Sequence, residues 1–170
     1  MDAESRRKQI LKIISEPEAL ITASMLAKTL NISRQIIVGD IALLRAQGYD
    51  IIATARGYMM PKYKESGQYI GKVACKHTPD NTTSELNLIV DLGATIVNII
   101  VEHELYGEIT GNLNLKSRED IEAFMKKVDK MKIKLLSELT FGIHLHTIAC
   151  QDKNHFDKVC KALKENKFAL

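Results

Sequence analysis

Cysteine is scarce. The 170 residues hold only Cys75, Cys150 and Cys160, an odd number, widely spaced and without a Cys-x-x-Cys pair. That pattern excludes a disulfide framework and a zinc knuckle, and leaves buried thiols as the expectation. Long apolar runs are also missing. No stretch approaches the roughly 18 residues a membrane-crossing helix needs. The opening Met1-Asp2-Ala3-Glu4-Ser5-Arg6-Arg7-Lys8 has no apolar segment of a secretion signal behind it, so a cytoplasmic protein with no membrane partner is expected. No internal repeat is evident. What is present, 45% hydrophobic and 26% charged residues, argues against disorder and suits one domain or two small ones.

The net charge is only +3, and its distribution says more than its size. Residues 1–62 hold nine Lys and Arg against six Asp and Glu, leaving fifteen of each for residues 63–170. A basic small module therefore precedes a neutral one. In the first, Ser5 to Ser15 puts Ile10, Leu11, Ile13 and Ile14 on a helical stripe with Arg6, Arg7, Lys8 and Lys12 outside it, and Pro17 closes the segment. Thr22 can cap a second helix through Leu30, with Met25, Leu26 and Leu30 spaced for burial. Ser33 caps a third, Arg34 to Gln47, stopped at Gly48, with Ile37, Ile41 and Leu44 as its inner row. Two short strands, Ile51–Thr54 and Tyr58–Met60, follow around Ala55-Arg56-Gly57. A helix, a helix–turn–helix and a hairpin with a basic tip predict a winged helix. Arg34 and Gln35 in the first exposed turn of the third helix, with Arg45 and Arg56, are the candidate DNA contacts. Gly39 inside that helix costs about 1 kcal/mol relative to Ala, and close backbone approach is the one use we can suggest for it.

Pro61-Lys62-Tyr63-Lys64-Glu65-Ser66-Gly67 is polar with Pro and Gly at its ends, and divides the chain into domains at 1–62 and 68–170. Beyond it, strands are expected at Gln68–Lys76, Thr95–His103, Glu108–Leu115 and Phe141–Ala149. Helices are expected at Thr82–Leu92, Ser117 to about Met131, and Asp152–Asn166. This order predicts an α+β sandwich, with helices on one face of a mostly antiparallel sheet.

Histidine is scarce too, five in all, yet two of them stand in Gly142-Ile143-His144-Leu145-His146-Thr147. On a strand, His144 and His146 share one face while Ile143 and Leu145 turn to the other. Two neighbouring imidazoles are either half a metal site or the polar face of an amphipathic strand. His77 at the end of the first strand and Glu85 near the start of the next helix could complete a three-nitrogen, one-carboxylate set for a divalent transition metal such as Ni, Zn or Fe. On spacing alone, a helix cap is the better reading of Glu85, because Thr82-Thr83-Ser84-Glu85 has the form of a capping box. Cys75 and Cys150 share the parity of these strand faces and read as packing. His103-Glu104-Leu105-Tyr106-Gly107 joins two strands, with His103 and Tyr106 as candidate ligand-binding residues at the edge of a pocket. His155 reads as plain surface.

Ser33-Arg34-Gln35-Ile36-Ile37-Val38, Asp40-Ile41-Ala42-Leu43-Leu44-Arg45-Ala46, Arg56-Gly57-Tyr58, His103 to Glu108 with Ile109, and Gly142 to Thr147 resemble the niacin-responsive transcriptional repressors of Gram-positive bacteria and Thermotogae. The resemblance covers nearly the whole chain. It implies a winged helix joined to a "three-histidine" domain, operator DNA bound as a homodimer, and repression of NAD synthesis or niacin uptake genes when nicotinic acid is present. By similarity, the metal ligands fall on His77, Glu85, His144 and His146, which turns Glu85 from cap to ligand. The helix–turn–helix alone is shared with biotin-operon repressors; the His-Leu-His-Thr strand with its upstream His and Glu is the more specific part. Gly39 departs from the polar residue expected there. Two alternatives stand beside this reading: a repressor whose effector is the metal itself, and a small metallohydrolase domain fused to a DNA-binding module.

Overall fold

The computed structural model describes residues 1–61 and 67–170, so most of the expected linker Pro61–Gly67 lies outside the described residues. The chain forms two compact units, Met1–Lys62 and Tyr63–Leu170.

In the first unit three helices, α1 (Ala3–Ile14), α2 (Ala23–Leu30) and α3 (Arg34–Ala46), precede an antiparallel hairpin of β1 (Ile52–Thr54) and β2 (Gly57–Met59). Each helix starts on a side-chain cap. Asp2 accepts from the Ser5 amide, Thr22 from Met25 and Ser33 from Ile36, so each cap satisfies one of the amides left open by the first turn. The first helix begins two residues before the expected Ser5, because the Asp2 cap was not recognised. Ile10, Ile14, Leu26, Ile37, Ile41, Leu44 and Ile51 form the core, each contributing about 2 kcal/mol on burial. Met25, expected inside, is 54% exposed; Ala23 and Ala27 take the buried positions of that short helix. The hairpin is held from its far side by Ile21 and Tyr58, which exchange both backbone hydrogen bonds (3.2 and 2.8 Å).

Asp40 is 3% exposed and was not foreseen as buried. It lies at i+3 from Ile37 and i−4 from Leu44, inside the apolar stripe, so its carboxylate enters the interior. There it accepts from Arg6 (2.5 and 3.1 Å) and Arg7 (3.5 Å) of α1. A buried carboxylate is tolerable only when paired, and this one fastens α3 to α1 while engaging two of the basic residues counted above. Gly39, beside it, has nothing within 4 Å of where a Cβ would stand. Gly39→Ala is therefore expected to raise stability by about 0.5–1 kcal/mol in chemical denaturation. If the bare backbone lies close to DNA, the same change will lower operator affinity in an anisotropy titration.

The second unit is built from β3 (Tyr69–Lys76), α4 (Thr82–Asp91), β4 (Thr95–His103), β5 (Gly107–Leu115), α5 (Arg118–Met131), β6 (Ile143–Cys150) and α6 (Lys153–Glu165). Short 3-10 turns at Pro79–Asn81 and Leu136–Thr140 enter α4 and β6; neither was foreseen. The sheet order is β3-β6-β4-β5 with every pairing antiparallel, so the last strand in sequence is inserted between the first two. One face is covered by helices: Leu86 and Ile89 of α4, Ile121 of α5, and Val159 and Leu163 of α6 pack with Val73, Cys75, Ile96, Leu115 and Ile148. The chain end returns to the β3 edge, where Lys76 donates to the Phe168 carbonyl (2.8 Å) and Leu170 to that of Ala74 (3.0 Å). His155, read from the sequence as plain surface, has a structural task instead. Its Nε2 lies 2.6 Å from the Leu92 carbonyl at the end of α4 and its Nδ1 accepts from the Gln151 amide (3.1 Å), joining the ends of two helices.

Candidate metal centre and DNA-contacting residues

The alternation of β6 puts His144 and His146 on the helix-covered face, each 2% exposed, while Ile143 on the other face is 46% exposed. Insertion of β6 beside β3 sets His144 opposite Cys75, and His77 follows two residues on. From above, α4 lowers Glu85. The histidines converge on its carboxylate: His144 Nε2 is 3.1 Å from Oε1, His146 Nε2 is 3.0 Å from the same oxygen, and His77 Nε2 meets Oε2. The side chains of His77, Glu85, His144 and His146 are at most 3% exposed.

The capping reading of Glu85 fails. Thr82 is already the first residue of α4, the cap position belongs to Asn81, and Asn81 makes no side-chain cap bond. The 3-10 turn at Pro79–Asn81 leads into the helix without the extended cap residue that a capping box requires, so the carboxylate is left to face the sheet. Burial pushes Glu85 upward, but the imidazoles of His144, His146 and His77 outweigh it and hold the carboxyl far below the usual range. For His77 burial acts downward, and the Glu85 carboxylate and the Thr78 carbonyl more than reverse it, so its pKa is raised.

The second nitrogen of each ring is also committed. Nδ1 of His77 lies 2.8 Å from the Thr78 carbonyl, that of His144 2.8 Å from Gly142, and that of His146 2.9 Å from Asn98. A carbonyl only accepts, so each Nδ1 carries the proton, and in the neutral ring Nε2 is then a bare lone pair. With all three rings neutral, three such lone pairs face the carboxylate and repel it, and a proton on one ring relieves one contact but leaves the other two. Protonating all three rings would bury a net charge of two, at several kcal/mol per ion. A cation among the four side chains removes the conflict, and backbone carbonyls holding the far ring nitrogen are the usual outer support of histidine ligands. The residues fit a divalent metal with nitrogen and oxygen preferences.

Two features that orient these side chains were not read from the sequence. The β-bulge between Ile96 and Asn98 accompanies the Asn98 carbonyl turned to His146, and the Asn98 side chain accepts from the Thr147 amide (3.2 Å). Gly142, at φ +91°, offers its carbonyl to His144 and comes so close to His77 that a Cβ would stand 2.2 Å from the His77 carbonyl oxygen. A bulge leaves no mark in a single sequence; the glycine did, at the head of the His-x-His strand.

In the first unit, Arg34 and Gln35 occupy the exposed first turn of α3, Arg45 is exposed near its end, and Arg56 is half-buried in the β1–β2 turn. The outer side of α3 also exposes Ile36 (43%) and Val38 (39%), apolar groups of the kind that meet thymine methyls.

Both units match known domains: an HTH domain over residues 6–59 and a 3H domain over residues 70–170. "Transcription repressor NadR" of Bacillus subtilis is 40% identical over 163 residues, 95% of this chain and 91% of that protein. "Probable transcription repressor NiaR" of Thermotoga maritima is 37% identical over 167 residues, 98% of this chain and 94% of its own. The chain belongs to the NiaR-type transcription repressor family.

A NiaR-type repressor is a DNA-binding regulator and not an enzyme, which sets aside the metallohydrolase alternative. Among the described residues no helix is long and apolar enough to cross a membrane. Among the described residues, the hydrogen bonds and ring contacts of His103 and Tyr106 stay within their own hairpin and do not reach the cluster around Glu85. His103 Nδ1 accepts from the amides of Leu105 (3.1 Å) and Tyr106 (3.3 Å) and so closes its own hairpin, with the Tyr106 ring 5.1 Å away. His103 instead lines an open cleft of about 720 Å³ with Glu102, Glu104, Leu105, Gly107, Leu139, Thr140 and Phe141. Burial, then the Glu85 charge, holds the Cys75 thiol protonated by raising its pKa, and Cys150 is pushed up to about 11, again by burial first.

Proposed function

We propose that this chain represses genes of NAD synthesis or niacin uptake, binding operator DNA as a homodimer under the control of nicotinic acid held at a metal in the 3H domain. The observation that carries this reading is the convergence of three imidazoles and one carboxylate, all buried, in a unit whose partner module binds DNA. His77, Glu85, His144 and His146 would hold the metal, with Ni, Zn and Fe matching their borderline character. When bound, such an ion is a Lewis acid able to accept a carboxylate or a pyridine nitrogen. The cleft beside His103 carries Glu102 and Glu104, which repel nicotinate. The acid group of the effector therefore needs a cation, and the donor chemistry of the four-residue set suits one. For control, nicotinate must bind the DNA-competent state more tightly than the other state.

A second reading, in which the metal is itself the signal, draws on the near-complete burial of all four side chains, which leaves an organic effector little access without local opening. A thermal-shift series separates the two: nicotinate, nicotinamide and biotin, each with and without Ni²⁺ or Zn²⁺ after chelation. A further shift by nicotinate that appears only when metal is present supports the first reading; a shift by metal to which nicotinate adds nothing supports the second.

For the DNA-binding unit, Arg34→Ala is expected to weaken operator binding by about 1–3 kcal/mol if Arg34 reads a base edge, and Arg56→Ala to lower the salt slope by about one unit if it touches phosphate. Nicotinate affinity should be unchanged in both. Anisotropy titrations at several salt concentrations check this, and wild-type operator affinity in both variants would remove the assignments of recognition helix and wing.

A further inference from the structure

A fifth side chain with a donor atom lies beside the four expected ligands. Cys75 is fully buried, lies opposite His144 across the β3–β6 pairing, and shares its face. Its Sγ, a Glu85 carboxylate oxygen and a His144 ring nitrogen all lie within 4.8 Å of one another. Donors on opposite sides of one ion, at roughly 2.1 Å for nitrogen or oxygen and 2.3 Å for sulfur, stand about 4.4 Å apart, so groups within 4.8 Å of one another can close on a common centre by moving a few tenths of an ångström at most. The ordinary explanation of a buried cysteine, packing among apolar neighbours, covers its contacts with the core but not its place beside the buried Glu85 carboxylate. The bare Nε2 lone pairs of the histidines already point to a cation on this side of the sheet.

We propose that Cys75 is a further metal donor: its Sγ bonds to the ion as the thiol proton leaves for solvent, adding a soft ligand to the nitrogen and oxygen set. This rests on the metal reading above. A thiolate favours Zn²⁺, Co²⁺ and Ni²⁺ over Mg²⁺ and Mn²⁺, so metal selectivity is the property that Cys75 sets.

The test uses the full chain, stripped of metal and kept reduced, titrated with Co²⁺ and followed by absorption. Wild type should show the visible d–d bands of bound Co²⁺ together with an intense near-ultraviolet thiolate-to-cobalt charge-transfer band. Cys75→Ser should keep the d–d bands, lose the charge-transfer band, and bind Co²⁺ at least about tenfold more weakly, by analogy with the cost of lost ligand support. Cys75→Ala, without a buried hydroxyl, is the second variant, and circular dichroism establishes that each is folded. Wild-type d–d bands without charge transfer would overturn Cys75 donation and leave the metal site standing. A charge-transfer band that survives in both variants would assign the thiolate to another cysteine and overturn it as well. Absence of any Co²⁺ bands from wild type would defeat the metal reading and this inference together.

Discussion

His146→Ala is expected to abolish the response of operator binding to nicotinate while leaving the ligand-free affinity for operator nearly unchanged. His146 brings one of three imidazoles to Glu85, and its removal takes away one proposed metal ligand, the ring that the Asn98 carbonyl orients. Outer-shell partners alone are worth about 10–100-fold in metal affinity, so loss of the ligand itself should cost at least about 100-fold. The fold should survive. The second unit has a continuous core running from Val73 to Leu163 and is large enough to stand without a metal staple. In melting curves, wild type with metal at 100 times its Kd should gain about 2.7 kcal/mol, and the variant almost nothing. Operator binding is read by anisotropy with and without nicotinate. A variant that still responds at the wild-type nicotinate concentration would rule out the metal as anchor and move the effector toward His103 and Tyr106. Loss of basal DNA binding together with stability would instead mean that the metal braces the fold.

Gly142→Ala should be among the most damaging single substitutions in the second unit. The φ of +91° costs an L residue about 1–2 kcal/mol. The added Cβ would also stand 2.2 Å from the His77 carbonyl oxygen and 3.1 Å from its carbon. Backbone cannot rotate away as a side chain can, so the β3 end or the start of β6 must move. Those two segments carry His77 and His144. The combined cost is about 3 kcal/mol or more, and metal affinity should fall with it. Gly107→Ala is the control, because Gly107 has φ +76° with nothing within 4 Å of its Cβ position and should lose only the backbone part. Chemical denaturation of both variants decides. Equal losses would mean that close packing on His77 adds nothing to the conformational requirement.

The elements themselves were readable because their signals are local. Thr22, Ser33, Ser117 and Asp152 each cap the helix they precede, and alternation along β6 separates His144 and His146 from Ile143. Asp40 was readable in principle, since its spacing from Ile37 and Leu44 is that of the buried row; treating a charge as exposed by default hid it. Glu85 shows the opposite failure, in which a real local pattern, Thr-x-x-Glu, pointed to the wrong partner.

The sequence by itself determined a winged helix, an α+β second unit and two imidazoles on one strand face, because caps, turns and periodicity act within a few residues. Only the tertiary structure decided that β6 enters the sheet between β3 and β4, placing Cys75 opposite His144 and bringing His77 near, and that α4 sets Glu85 above all three histidines. The physical reason is that strand order depends on which faces must be buried together, a contest that spans residues 81 positions apart in the pairing of Tyr69 with Cys150. No window of the chain contains both sides of that contest.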